Sequence, residues 1–383
     1  MRQKVITILG TRPEIIRTSR ITPKLDALCE HTIVHTNQNF TPNLKDIFFE
    51  QLGLRQPDIT LTSKMEEGWG TSSHSSYGLG GQLADMFPQI EKVFNDIKPD
   101  KVFILGDTNS ALCSIIAERM GIPVYHMEAA NRNFNHEVPE EVNRKLIDSI
   151  SSYNLFYTDT NRHTLLREGA DPRKIFQCGN PTKEVLDFYK AHITGSDILH
   201  QLELMPHDWP GVVDPPVPYF LVDIHRSENV NNRDRLISIL KALNAIAEHF
   251  GHKVIYSVHP KTKDKMKGCG VPVHPKVKFL DAFGFFDFVK LEQNALVGLT
   301  DSGLCSEEYC LLQVPCVIVR NETERPEVVE AGGAIISGVE TDAILESVKA
   351  MITLKERGWA IPRGYESHNV SDKVVRYILG KSQ

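Results

Sequence analysis

The feature that most narrows the fold is a repeated unit: a short, continuous apolar run that stops at a glycine or acidic tip and gives way to helical periodicity. Val5 to Leu9 is one such run, and it stops at Gly10-Thr-Arg-Pro-Glu14. Pro13 there suits a first helical turn, where its missing N–H would be unpaired in any case. The unit returns at Lys101 to Leu105, closing on Gly106-Asp-Thr108, and at Pro123-Val-Tyr, closing on His126-Met-Glu128. It recurs at Tyr219 to Ile224, closing on His225-Arg-Ser-Glu-Asn229, and before Asp301-Ser-Gly303. Strands that alternate with helices in this way build parallel sheets covered on both faces, so the predicted class is α/β and doubly wound, with ligands gathering at the carboxyl ends of strands.

A chain of 383 residues is too long for one ordinary core and predicts two domains, 1–182 and 183–367, with a C-terminal helix in 368–383 packing back on the first. The run containing Pro206, Pro210, Pro215, Pro216 and Pro218 marks the expected hinge. A net charge of −6 offers no general attraction to nucleic acid or to an anionic membrane, so anionic ligands must be held locally. The opening Met1-Arg-Gln-Lys followed by a single strand is too short for a signal peptide, and no apolar run reaches membrane-spanning length, so a cytoplasmic location is expected. Seven cysteines without a Cys-x-x-Cys pair read as reduced and mostly buried, and Cys305, Cys310 and Cys316 match no zinc spacing. Neither internal repeats nor low-complexity tracts are evident.

The chemistry concentrates at the tips. Asp301-Ser-Gly-Leu-Cys-Ser-Glu-Glu308 follows an apolar strand and opens a helix, which presents unpaired N–H groups, a hydroxyl and the helix dipole to a phosphate. Ser302 and Gly303 would hold the phosphates and Glu308 a ribose diol, although a plain helix cap is the competing reading. No Gly-x-Gly-x-x-Gly or Walker loop is present, which argues against dinucleotide or ATP chemistry. Arg12 and Arg17 bring guanidinium forks to the first tip. Asp107 and Glu128 end adjacent predicted strands, and Glu140 and Glu141 follow Pro139 in a first helical turn; converging carboxylates would raise one another's pKa and move protons. His225 stands beside Arg226 and Glu228 at a further tip, where a functional and a structural histidine are both reasonable. Residues 62–81, rich in Ser, Gly and Glu, read as a mobile loop or a surface excursion.

Taken together, Gly10-Thr-Arg-Pro-Glu14, Gly106-Asp-Thr108, His126-Met-Glu128, Pro139-Glu-Glu141 with Asn143-Arg144, His225-Arg226, His259-Pro260, Asp301-Ser-Gly303 with Glu307-Glu308, and Thr323-Glu-Arg-Pro-Glu327 form an ordered set along nearly the whole chain. This set resembles the non-hydrolysing UDP-N-acetylglucosamine 2-epimerases. The resemblance implies two Rossmann-like domains facing a central cleft (glycosyltransferase-B architecture), a homodimer, and a UDP-sugar substrate with neither metal nor nicotinamide cofactor. It further implies Asp107, Glu128, Glu140 and His225 in catalysis, and Arg12, Arg17, Arg144, Ser302, Gly303, Glu308 and His259 in UDP or substrate binding.

Departures from the family pattern bear on the sugar. Gly303-Leu304 replaces Gly-Gly, Asn131-Arg-Asn-Phe134 replaces Arg-Thr-Gly-Asp, and Asn39 stands where a histidine is usual, which puts the family's allosteric activation by substrate in doubt. The combination of His35-Thr-Asn-Gln-Asn-Phe40, Asn131-Arg132, Val138-Pro-Glu-Glu141 and Ser306-Glu-Glu308 is similar to the branch acting on UDP-2-acetamido-2,6-dideoxy-L-talose, which forms UDP-N-acetyl-L-fucosamine for surface polysaccharide, although Ala130 replaces an expected glycine there. The alternatives are an epimerase of UDP-N-acetylglucosamine, a hydrolysing epimerase, a glycosyltransferase of the same architecture, and a non-catalytic UDP-sugar binding protein.

Overall fold

The structure, a computed structural model, describes residues 2–38, 46–62, 78–205, 215–258, 260–354 and 358–381. His259, Asn39 and most of the expected loop, 63–77, lie outside the described residues. The chain divides into two compact units, Met1–Val185 with Arg363–Gln383, and Leu186–Pro362.

The first unit is built on β1 (Lys4–Leu9), β2 (Glu30–His35), β3 (Ile59–Thr60), β4 (Lys101–Leu105), β5 (Val124–Met127), β6 (Tyr153–Phe156) and β7 (Ile175–Gln177). They form one parallel sheet in the order β3-β2-β1-β4-β5-β6-β7. Every residue of β4 is buried, because helices cover both faces and leave no place for a polar alternation. The period-two geometry shares these runs between two cores. Ile6, Ile8, Val102 and Ile104 face one core, which contains Met86, Ile90, Val93 and Phe94 of the helix Leu79–Ile97. Val5, Phe103, Leu105, Tyr125 and Met127 face the other, where Leu25 of the helix Thr22–Leu28 meets Val370, Val374, Val375 and Ile378 of the helix Val370–Leu379.

That last helix is anchored at both ends. Ser371 donates its N–H to Glu184 at 2.8 Å, and Lys24 Nζ meets Asp372 at 2.6 Å. Tyr377 stacks on Phe176 at 4.3 Å and stands edge-on to Tyr125 and Tyr153. Lys101 Nζ donates to the carbonyls of Ile378 and Gly380, a cation placed at the negative end of the helix dipole. Gly364 makes the return possible: with φ +97° and a virtual Cβ 2.4 Å from the Tyr157 carbonyl oxygen, only glycine fits.

The second unit carries β8 (Tyr219–Asp223), β9 (Lys253–Val258), β10 (Val277–Asp281), β11 (Val297–Thr300), β12 (Cys316–Ile318) and β13 (Ala334–Ile336). This parallel sheet runs β10-β9-β8-β11-β12-β13, with the helices Arg233–Phe250 and Thr341–Leu354 packed into its core. Both sheets therefore have the Rossmann-like, doubly wound form expected from the sequence. The hinge expectation is corrected: the chain leaves the first unit at Val185, ahead of the proline run, of which Pro206 and Pro210 lie outside the described residues. The reason is packing upstream of those prolines. Tyr189 lies against the rings of Phe285 and Phe286, and Ser196 Oγ donates to Asp287 at 2.6 Å, so residues from 186 onward already belong to the second unit.

In each sheet the strand order reverses once, between β1 and β4 and between β8 and β11. Outside the carboxyl ends of the strands at such a reversal lies the crevice where open α/β sheets take their ligands.

Candidate functional site

In the first unit, the tips of β1, β4 and β5 carry the acids singled out from the sequence. Asp107 follows β4 and is one-fifth exposed, with Oδ2 at 2.6 Å from both Nε and Nη2 of Arg144. Its backbone carbonyl accepts from Asn143 Nδ2 at 2.9 Å, so two residues of the helix Pro139–Ile150 fix it. Glu128 follows β5 and is buried; Arg17 Nη1 donates to its Oε2, while Asn131 Nδ2 donates to Oε1 at 3.2 Å. Glu128 holds φ at +74° and Ala130 at +67°, left-handed values that cost a non-glycine residue on the order of 1 kcal/mol or more each and that cluster at sites where a side chain must be aimed.

Three of these carboxylates have a basic partner. Asp107 and Glu128 each meet a guanidinium, and Glu141 is buried against Arg144 Nη1 at 3.2 Å while accepting the Asn133 N–H at 3.0 Å. Glu141 is therefore structural. Glu140, half-buried, has no hydrogen-bond partner among the described residues, which suits a group that must take up and release a proton. Arg17 and Arg144 do not stand open for a phosphate: both are almost wholly buried and committed to Glu128 and Asp107. Arg12 is half-buried, its guanidinium 5.8 Å above the Phe48 ring.

Behind β5, His126 Nε2 bonds the Gly106 carbonyl at 2.9 Å and Nδ1 lies 2.9 Å from Asp148. Arg132, which the sequence associated with the choice of sugar, is buried and bonds Asp148 and Glu168, both at 2.6 Å. Its Nη1 donates to the carbonyl of Asn131, whose Nδ2 in turn donates to Glu128. Burial works to raise the Asp148 pKa, but the hydrogen bond and charge of His126 and the Arg132 guanidinium outweigh it and hold Asp148 below the usual carboxylate range.

In the second unit Asp301 proves to be a keystone. Its carboxylate accepts the backbone N–H groups of His225 at 3.0 Å and Arg226 at 2.9 Å, and Asn229 Nδ2 at 2.9 Å. The tip of β8 is thereby tied to the tip of β11. His225 is 40% exposed, with Nδ1 turned to Asp223 at 3.3 Å and Asp301 at 3.8 Å, so two carboxylates orient its ring. Ser302 is the N-cap of the ten-residue helix Gly303–Leu312, its Oγ 3.5 Å from the Cys305 N–H. At Gly303 a Cβ would stand 2.8 Å from Glu324 Oε1, so the absence of a side chain admits that carboxylate to the helix start. Glu324 is matched by Arg226 at 2.7 Å and Arg320 at 2.6 Å, which leaves the helix start electrically able to accept an anion. Glu308, expected on a ribose, is buried, and its carboxylate, Cys305 Sγ and a Glu292 oxygen lie within 4.8 Å of one another.

Sequence reasoning missed Glu14, Glu324, Arg320 and Arg325. Glu14 stood in a quoted motif, and its place three residues after Thr11 in a capping pattern was the available signal. Nothing local marked the pairing of Arg325 with Glu307, 18 residues apart. All seven cysteines are buried thiols outside any disulfide; burial pushes Cys29 up to about 11 and Cys178 and Cys310 up to about 12, values unsuited to thiolate chemistry.

Comparison with known proteins shows the family. A family model described as UDP-N-acetylglucosamine 2-epimerase matches residues 24–379. The UDP-N-acetylglucosamine 2-epimerase of Methanocaldococcus jannaschii is 37% identical over 98% of both chains. A UDP-2,3-diacetamido-2,3-dideoxy-D-glucuronate 2-epimerase of Pseudomonas aeruginosa is 30% identical over 97% of this chain and 99% of its own. The M. jannaschii enzyme solved with UDP-N-acetylglucosamine and UDP superposes with a TM-score of 0.86 at 35% identity, covering 98% of this chain and 99% of that one. No helix among the described residues is long and apolar enough to cross a membrane. With its two parallel-sheet units and acids at their strand tips, the chain belongs to the UDP-N-acetylglucosamine 2-epimerase family and is an isomerase, a UDP-sugar 2-epimerase.

Proposed function

We propose that the protein inverts C2 of a UDP-2-acetamido sugar by eliminating UDP and adding it back. A base takes the C2 proton while the C1–O bond breaks, its electron pair leaving with UDP and the C2–H pair closing a C1=C2 double bond. UDP oxygen then returns to C1 as an acid delivers a proton to the opposite face of C2. Two proton-transfer groups are needed, and the candidates are Asp107, Glu128, Glu140 and His225. Arg12, Ser302 and Gly303 are assigned to the diphosphate and Glu308 to the ribose by motif match. His259 is assigned to UDP in the same way, while Arg17 and Arg144 serve by holding Glu128 and Asp107. The observation that carries the reading is the pair Asp107 and Glu128 on neighbouring strand tips, each fixed by its own guanidinium, in a chain that aligns end to end with epimerases.

The sugar we favour is 2-acetamido-2,6-dideoxy-L-talose, giving UDP-N-acetyl-L-fucosamine for surface polysaccharide, on the motif combination described above. UDP-N-acetylglucosamine is the second reading, favoured by the 37% identical relative of that name. A cytoplasmic homodimer working without metal or nicotinamide completes the proposal. Offering each UDP-sugar separately and following the C1 and C2 protons by NMR tests it. The expected result is a new epimer with UDP still attached and faster turnover of the L-talo sugar. Equal or faster turnover of UDP-N-acetylglucosamine would reverse the choice of sugar, and release of free sugar would replace the non-hydrolysing reaction with a hydrolysing one.

A further inference from the structure

We infer that Glu14 is a positioning residue for this reaction: its carboxylate, enclosed between the tips of β1 and β4, fixes the backbone that presents Asp107. The inference rests on the epimerase reading above. Glu14 is 2% exposed, and its donors come from those two tips. Oε2 accepts the Gly10 N–H at 2.5 Å and the Thr11 N–H at 3.2 Å, and Oε1 accepts the Thr108 hydroxyl at 2.7 Å. One carboxylate therefore joins the two loops that flank the reversal of strand order.

The loops are in contact at a second point. Thr36 Oγ1 and Ser110 Oγ are 2.6 Å apart, and a Cβ at Gly10 would fall 1.9 Å from Ser110 Oγ and 2.6 Å from Thr36 Oγ1. Gly10 is thus required for Ser110 to close on β1, and that approach brings Thr108 within reach of Glu14. Asp107 directly precedes Thr108. On its other side Asn143 and Arg144 hold its carbonyl and carboxylate. The acid is suspended between the helix Pro139–Ile150 on one flank and Glu14 on the other, and loss of either anchor frees one side of the tip.

Burial pushes the Glu14 pKa up to about 7 against the hydrogen bonds from Thr108, Gly10 and Thr11, which favour the charged form. A protonated carboxyl turns one oxygen into a donor, so at least one of these contacts is lost or reversed. The ionisable groups on the surrounding elements are Arg12 and Arg17 on its own helix, Asp107 at the β4 tip, His35 at the β2 tip, and Asp46 and Glu50 on the helix Asp46–Gln51 that packs on it. Arg17 is committed to Glu128, Asp107 to Arg144, and Asp46 and Glu50 are exposed. All the partners Glu14 makes are neutral.

The test is steady-state epimerisation across neutral pH by wild type, Glu14→Gln, Thr108→Val and Thr108→Ser, with urea midpoints measured for each. Glu14→Gln and Thr108→Val are expected to lower kcat roughly 10- to 100-fold with KM nearly unchanged, since the lost contact orients the acid without touching substrate. Thr108→Ser, which keeps the hydroxyl, restores kcat. Wild-type kcat rises with pH through about 7, and that rise is absent in Glu14→Gln. If Glu14→Gln does not fold, the Thr108 pair decides. Full kcat in Thr108→Val, or an unchanged pH rise in folded Glu14→Gln, overturns the inference while leaving the epimerase reading intact; an inactive wild type removes both.

Discussion

Arg144 and Glu140 lie four residues apart on one helix, yet the structure assigns them opposite consequences. Arg144 is buried between Asp107 and Glu141, so Arg144→Met strands two carboxylates and is expected to cost about 3–5 kcal/mol of stability along with activity. Glu140 is half-buried with no partner among the described residues. Glu140→Gln is expected to leave the urea midpoint within about 0.5 kcal/mol of wild type while kcat falls about 10²- to 10⁴-fold. Loss of stability without loss of turnover would remove Glu140 from the acid–base set. Asp148 provides a test through pH. Its folded pKa is depressed, so the unfolded chain binds the proton more readily, and the stability it contributes is present above about pH 3.9 and lost as pH falls through the folded value. Urea midpoints measured from neutral to acid pH should fall less steeply in Asp148→Asn than in wild type; parallel curves would refute the assignment. The places of Asp107 and Glu128 at strand tips were legible in the sequence because a continuous apolar run that stops at a glycine or an acid marks a strand's end. Their guanidinium partners were not, since Arg17 and Glu128 are 111 residues apart and no local pattern encodes such a pairing.

At the scale of elements, the strands that end at the quoted tips could be read directly, and the C-terminal helix expected within 368–383 is present as Val370–Leu379. Continuous apolar runs and a sustained amphipathic period are local signals, and here the tertiary structure reinforced them. The hinge could not be read that way. Prolines report turn chemistry, whereas unit membership depends on which aromatic surface covers Tyr189. Besides the core contacts of Val370, Val374, Val375 and Ile378, the C-terminal helix is held to the first unit by Tyr377, wedged among Phe176, Tyr125 and Tyr153. Tyr377→Ala is expected to cost about 2 kcal/mol or more, measurable as a lower urea midpoint with unchanged slope. An unchanged midpoint would mean that the salt link of Lys24 and the Lys101 contacts suffice.

For the whole molecule, both sheets reverse their strand order once, and the candidate residues from two unrelated-looking stretches of sequence stand at strand tips in each. What the sequence could not supply is the sugar: Arg132, which the sequence associated with that choice, is enclosed in ion pairs with Asp148 and Glu168, while its neighbour Asn131 meets Glu128. The homodimer is expected to appear as twice the chain mass by light scattering, and a monomer that retains full turnover would remove it from the account. The central claim is that C2 loses and regains a proton while UDP stays with the enzyme. Running the reaction in D₂O with either UDP-sugar tests this most directly. The account expects deuterium at C2 of the product epimer, with no accumulation of free UDP beyond trace glycal release; epimer formed with protium retained at C2 would contradict it.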